Sequence, residues 1–180
     1  RRKGHRRSPI KEAVSIDQRP AIVDTRERLG DWEADTVLGK QGSGVLVTLA
    51  ERKSRLYLVR RVEGKKASLV RDAIIDMLKP YKAYVHTITF DNGGEFAEHK
   101  AIAKGLDAKA YFAHPYSSWE RGLNENFNGL LRQYIRKGTD MSTVSDEYVA
   151  QVEKKLNLRP RKCLGFRQPA VVFDELRQAA

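Results

Sequence analysis

Three carboxylates, Asp35, Asp91 and Glu125, are the residues around which a chemistry can be built. Asp35 falls amid Trp32, Ala34, Val37 and Leu38, in a run that reads as a core strand. An acid there is costly unless something compensates it, although the neighbouring Asp31 and Glu33 leave open a merely polar outer face of the strand. Asp91 ends a second apolar run and is followed by Asn92-Gly93-Gly94, a turn signature with positive φ. Open α/β sheets place their sites at such strand ends; the plainer reading is that Asp91 only starts the turn. Glu125 falls on a helical pattern. At about 100° per residue, Leu123, Phe127, Leu130, Leu131 and Tyr134 form one apolar stripe. Glu125 lies almost opposite, with Arg121, Asn128, Arg132 and Arg136 beside it; an ordinary exposed, ion-paired Glu would look the same.

Taken together, two strand acids on adjacent parallel strands and one helix acid over the sheet edge can converge on one point. Without cations they would repel and raise one another's pKa. Two Mg²⁺ ions remove that difficulty, since Mg²⁺ prefers one or two carboxylates plus waters and phosphate oxygens. Two such ions about 3.5–4 Å apart suit an in-line phosphodiester displacement. No Ser, Cys or Lys stands in a recognisable nucleophile motif.

The elements that must position these groups follow from periodicity. Strands are expected at Glu33–Gly39, Val45–Glu51 and Arg55–Val62, joined by short turns as an antiparallel meander. A helix with Ser68 as N-cap follows through Leu69, Ala73, Ile74, Met77 and Leu78 and stops at Pro80. Then come a strand at Val85–Phe90, a short helix at Glu95–Lys104 and a strand at Lys109–Ala113. A long helix at Trp119–Arg136 and helices near Thr143–Leu156 and Pro169–Leu176 complete the order. A strand after a crossover helix pairs parallel. The expectation is therefore α/β: a mixed five-stranded sheet flanked by helices, in the element order of the ribonuclease-H-like fold.

The chain has 180 residues and a net charge of +11, which points to a polyanionic partner. Residues 1–27 read as a basic arm, with RRKGHRR at its start, and 28–180 as the folded domain. The longest uncharged apolar stretch, Gly42 to Ala50, is far too short for a membrane span. A single cysteine, Cys163, excludes an internal disulfide and, with four scattered His, argues against structural zinc. Opening on Arg1 rather than Met, the chain is expected to be a segment of something longer.

Several blocks together resemble the catalytic domain of bacterial insertion-sequence transposases of the acidic-triad (DDE) superfamily, and the IS-thirty type in particular. They are DWEADTVLGK with Asp35, VTLAERKSR at 47–55, TFDNGGEFAEH with Asp91, AHPYSSWERGLNENFNGLLRQYIRKGTD with Glu125, and LNLRPRKCLGFRQP at 156–169. The resemblance covers 20–176, and 33 residues separate Asp91 from Glu125, an interval similar to the family's. Ala34 stands where the group often has Gly. The resemblance implies an integrase-like core with Mg²⁺ or Mn²⁺, two ions, bound by Asp35, Asp91 and Glu125, and a mobile loop at 115–122. It implies nicking of element ends by water, then attack of the freed 3′-hydroxyl on target DNA, in a multimer acting in the bacterial cytoplasm at the nucleoid. The helix-turn-helix reader that full-length relatives carry is not visible in residues 1–27.

Among the remaining residues, Arg121, Asn128, Arg132 and Arg136 are DNA-contact candidates, and Arg159–Lys162 is either a phosphate patch or a charged loop. His114 reads as a solvent-facing loop residue and Trp119 as a cover for the core at the helix entry, with base stacking as its alternative. Two other functions fit the same residues: a ribonuclease-H-like nuclease that uses water alone, and a DNA-binding module with a dead site.

Overall fold

The computed structural model describes residues 10–179; the RRKGHRR run lies outside them. A one-turn helix α1 (Ile22–Thr25) precedes a meander of β1 (Asp31–Leu38), β2 (Val45–Glu51) and β3 (Tyr57–Val62). Helix α2 (Ala67–Leu78), β4 (Thr87–Phe90), α3 (His99–Leu106) and β5 (Lys109–Phe112) follow, then α4 (Gly122–Leu131), α5 (Asp146–Leu158) and α6 (Pro169–Gln178). The sheet order is β3-β2-β1-β4-β5. β1, β2 and β3 pair antiparallel, while β4 lies parallel to both β1 and β5. The expected mixed five-stranded ribonuclease-H-like sheet is therefore present.

Alternation along the strands makes two cores. Trp32, Ala34, Val47, Leu49 and Ile88 face α2, α3 and α6 through Ile74, Leu78, Ile102 and Phe173. On the opposite face, Val37, Leu46, Ala50 and Tyr57 pack against Leu123, Phe127 and Leu131 of α4 and Val152 and Leu156 of α5. The Tyr57 and Phe127 rings stack 4.7 Å apart and 8° from parallel, which fixes α4 against the sheet.

Both sheet edges are closed, as a lone edge strand invites pairing with other chains. On β3, Asn157 of α5 accepts from the Tyr57 N–H (2.9 Å) and donates to its carbonyl (2.7 Å), and Glu153 accepts from the Val59 N–H (2.7 Å). On β5, the Val14 carbonyl accepts the Phe112 N–H at 2.8 Å. Residues 10–27, part of the expected arm, thus lie against the domain, with Val23 fully buried.

Three local expectations need correction. Ser68 does not cap α2: the N-cap is Lys66, without a side-chain bond, and a 3₁₀ segment, Lys79–Tyr84, carries Pro80 in its first turn. The long helix is shorter at both ends. A 3₁₀ turn, Ser118–Arg121, precedes α4, and beyond Leu131 the Gln133 and Tyr134 amides bond three residues back rather than four, tightening the chain into turns. Trp119 covers no core; it is 73% exposed. Among the described residues, no helix is long and apolar enough to cross a membrane.

Candidate active site

The site is set by register. β1 and β4 pair Asp31 with Thr87, Trp32 with Ile88 and Glu33 with Thr89. Two residues beyond the last of these pairs, Asp35 on β1 and Asp91 just after β4 come to the same end of the pairing. Both carboxylates meet one guanidinium. Arg121 places Nη1 3.7 Å from Asp35 Oδ1 and Nη2 3.5 Å from Asp91 Oδ2, and also donates to the Ala34 carbonyl at 3.3 Å.

Each carboxylate is also oriented by neutral donors. The Thr36 N–H and Asn128 Nδ2 donate to the two oxygens of Asp35 at 2.8 and 2.9 Å. Asn128 Oδ1 in turn accepts from the Tyr57 hydroxyl (2.8 Å) and the Thr48 hydroxyl (3.2 Å). The Gly93 N–H donates to Asp91 Oδ1 at 2.8 Å. Burial pushes the Asp35 carboxyl up, with Asp91 and Glu95 adding to the rise and Arg121 and the Thr36 N–H opposing it.

Asp31 and Glu33 do not form the polar outer face that the sequence left open. Both are buried, on the same face of β1 as Asp35. Arg28 grips Asp31 with two donors at 3.0 and 2.7 Å, Thr87 donates to it at 2.7 Å, and Arg52 pairs with Glu33. The three acids at alternate positions each meet an arginine from a different segment. Two pairs are tight and have a buried acid; the third, at Asp35, is loose and shared with Asp91.

The turn after β4 also differs from expectation. Gly93 has φ −71° and Gly94 is not left-handed. Glycine is needed at 93 for space: a Cβ there would lie 2.5 Å from Glu95 Oε2 and 2.8 Å from Asp91 Oδ1. Glu95, which sequence reasoning missed, is a buried third acid beside the pair. Burial pushes its pKa up, but Lys65 at 2.8 Å and the Thr36 hydroxyl at 2.8 Å more than offset this and hold it low. A signal existed in the sequence: Glu95 follows Asp91 by four residues within TFDNGGEF.

Glu125 is exposed on α4, and among the described residues no group of three or more His, Cys, Asp or Glu is gathered closely enough to hold a metal ion. Its helical neighbours do reach the site: Arg121 and Asn128, four before and three after it, both touch Asp35. Arg132 caps the end of α4, donating to the Leu38 carbonyl at 2.7 Å and the Arg136 carbonyl at 3.2 Å. Arg136 is exposed, and Asn124 is buried with both side-chain polar atoms unpartnered. A cavity of about 580 Å³ opens between the end of β1 and α4, lined by Thr36, Lys40, Asn128, Arg132 and Lys137 among others. His114 is exposed as expected, yet it bridges Glu120 (2.7 Å) and Asp17 (3.0 Å).

The donor set suits a hard divalent cation: two oxygen ligands that already share one cationic side chain, with Asp91 34% exposed and so open to water or phosphate.

No family model matches the sequence. The chain is 47% identical over 163 residues to the transposase for insertion sequence element IS4351 of Bacteroides fragilis, covering 91% of this chain and 50% of that protein. It is 37% identical over 175 residues to the transposase InsI for insertion sequence element IS30C of Escherichia coli K12, covering 96% of this chain and 45% of that one. The chain thus spans about half the length of the curated relatives it matches. Its fold matches the catalytic core domain of BIV integrase with a TM-score of 0.62 at 19% identity, over 83% of this chain and 96% of that one.

Proposed function

From its homology to the IS30-type insertion-sequence transposases, we propose that this chain is a transposase catalytic domain, cutting DNA at element ends and joining it to a target by phosphodiester transfer. The carrying observation is the meeting of Asp35 on β1 and Asp91, just after the parallel strand β4, at a single guanidinium, that of Arg121. That arrangement leaves one negative charge uncompensated in a half-buried place, which a divalent ion offsets and a structural role does not need.

In this reading Asp35 and Asp91 hold Mg²⁺, with Mn²⁺ able to replace it, and Glu125 completes the set. Two ions bound there would supply an activated water or 3′-hydroxyl and stabilisation of the leaving oxygen. The chain's own groups prepare the place. Asn128 and the Thr36 amide hold the Asp35 oxygens in fixed directions, and the Gly93 amide does the same for Asp91. The cleft beside Asn128 offers Lys40, Arg132 and Lys137 to the phosphates of a strand laid across the acids. Glu125 shares the helix face of Asn128, since residues three apart on a helix are neighbours. Joining two element ends to a target calls for more than one copy of the chain, and the setting is the bacterial cytoplasm at the nucleoid. Residues 28–180 are proposed as the catalytic unit, with the basic lead-in of 1–27 packed against it over residues 10–27.

Mn²⁺ calorimetry on the chain, beside Asp35→Asn, Asp91→Asn and Glu125→Gln, tests the site. Loss of binding in both Asp variants and weakening in the Glu variant are expected; wild-type affinity in either Asp variant would overturn the assignment. Joined rather than only hydrolysed DNA ends then separate a transposase from a nuclease.

A further inference from the structure

A second cavity, of about 250 Å³, lies at the first turn of α4 and is lined by Arg26, Arg55, Arg161, Gly122, Phe127 and Cys163, among others. None of the acids described at the candidate active site lines it. Three guanidinium groups around one small cavity repel one another, and the rest of the chain does little to answer them. Among the described residues none of the three carries an ion pair, in a chain whose other arginines mostly do. Arg161 has one anchor, a bond from Nη2 to the Leu156 carbonyl at 3.1 Å, and its guanidinium lies 4.8 Å from the centre of the Phe127 ring. The Nε atoms of Arg55 and Arg161 are buried without partners. Arg26 and Arg55 also adopt left-handed backbone conformations, φ 57° and 67°, which are uncommon outside glycine and concentrate where ligands are clamped. Burial, then the nearby Arg55 and Arg52, push the Arg26 guanidinium down, as expected of a cation among cations.

We propose that this cavity is a phosphate subsite for a nucleic-acid backbone, separate from the Asp35–Asp91 pair. Phosphate is the anion that best answers a fork of guanidinium donors, and Gly122, at the start of α4, lines the same space without a side chain to fill it. The adjoining cavity shares Arg26 and Gly122 and is lined also by Trp119, whose exposed ring offers a stacking face for a base. That cavity contains Asp17, Asp24 and Glu120 as well, so the anion is confined to the arginine side. The inference takes from the proposed function only the owner of the phosphate. A strand held here would run past the start of α4 and be steered toward the acids beside its middle.

Cys163, the chain's only cysteine, is exposed at the cavity and serves as a reporter. The test measures its alkylation by iodoacetamide without divalent metal, in the presence of a 20-base-pair duplex or of inorganic phosphate. Saturating duplex is expected to slow alkylation several-fold. Arg26→Gln/Arg55→Gln is expected to abolish that protection and to lower the slope of log K against log salt by about 0.9 for each phosphate lost. Arg26→Lys/Arg55→Lys, which keeps the charges, retains most of the slope. Cys163 fully reactive in the bound complex, or an unchanged slope in the Gln variant, would overturn the proposal. Protection by phosphate but not by duplex would overturn the nucleic-acid assignment. The assay is run without divalent metal and reads Cys163, so its outcome does not depend on ion binding by Asp35 and Asp91, and failure at the active site and failure at this subsite are told apart.

Discussion

Glu33→Gln tests the scaffold that holds the candidate site. Glu33 is fully buried; one carboxylate oxygen pairs with Arg52, and the other accepts the Asn124 N–H at 3.2 Å, at the start of α4. Gln keeps the volume and an acceptor for Asn124 but removes the charge. Arg52, itself buried, would then retain the Val23 carbonyl at 3.0 Å and the exposed Asp24 at 3.7 Å. Breaking a buried pair by removing one partner costs about 3–5 kcal/mol. The surviving contact to Asp24 restores at most about 1 kcal/mol, because it is solvated. The net expectation is a loss of about 2–4 kcal/mol, equivalent to a fall in Tm on the order of 10 °C for a domain of this size. Urea unfolding should show a lower midpoint at unchanged m. Replacing both partners with apolar residues, Glu33→Leu with Arg52→Met, should cost less than the two single changes summed. A Glu33→Gln protein within about 0.5 kcal/mol of the parent would refute the claim that this pair holds β1 to α1 and α4.

Arg121→Gln removes the cation that Asp35 and Asp91 share, so Mn²⁺ affinity measured by calorimetry should rise several-fold; weaker binding would show that Arg121 assists the ion rather than competing with it. Asn128→Ala frees Asp35 and strips the Tyr57 and Thr48 hydroxyls of an acceptor, which should lower stability by about 1–3 kcal/mol in urea unfolding and reduce DNA cleavage further than that loss explains. His114, between Glu120 and Asp17, is held above the ordinary imidazole range by hydrogen bonds to those two carboxylates. A raised folded pKa means that its stabilising contribution is complete below the unfolded pKa and is lost as pH rises through the folded value. NMR titration of the His114 ring should therefore give a raised midpoint that falls toward the ordinary value in Asp17→Asn, and an unperturbed midpoint in the parent would refute the bridge.

Elements with strong alternation were legible from the residues alone: β2 falls on Val45–Glu51 as expected, and the order of strands and helices gave the fold class. What the sequence could not show was partnership. Asp31 and Glu33 look solvent-facing beside Asp35 because their cations come from Arg28 and from Arg52 on a different segment. Gly93 reads as a turn residue, since nothing local says that two carboxylates close in on its α-carbon. Trp119 reads as core because helical periodicity was carried back into a 3₁₀ turn that points it outward. The angular reading of α4 did place Arg121, Glu125 and Asn128 on one face, and two of the three meet Asp35.

The partnerships also give a physical criterion for which acid is chemical. Asp31, Glu33 and Asp35 share one face of β1, so sequence position alone treats them alike. Asp31 has a bidentate arginine and a hydroxyl donor, and Glu33 has a buried arginine and a backbone amide; each charge is answered within the fold. Asp35 shares its only guanidinium with Asp91, at distances of 3.7 and 3.5 Å that are long for charge-assisted hydrogen bonds. A scaffold that gives two of its strand acids a full partner each, and leaves the third sharing one cation with a neighbour, keeps coordination capacity beside the end of β4. Glu95 strengthens the contrast, for it lies beside the same pair and yet is matched by Lys65. The residual negative charge therefore falls on Asp35 and Asp91, the two acids that share Arg121.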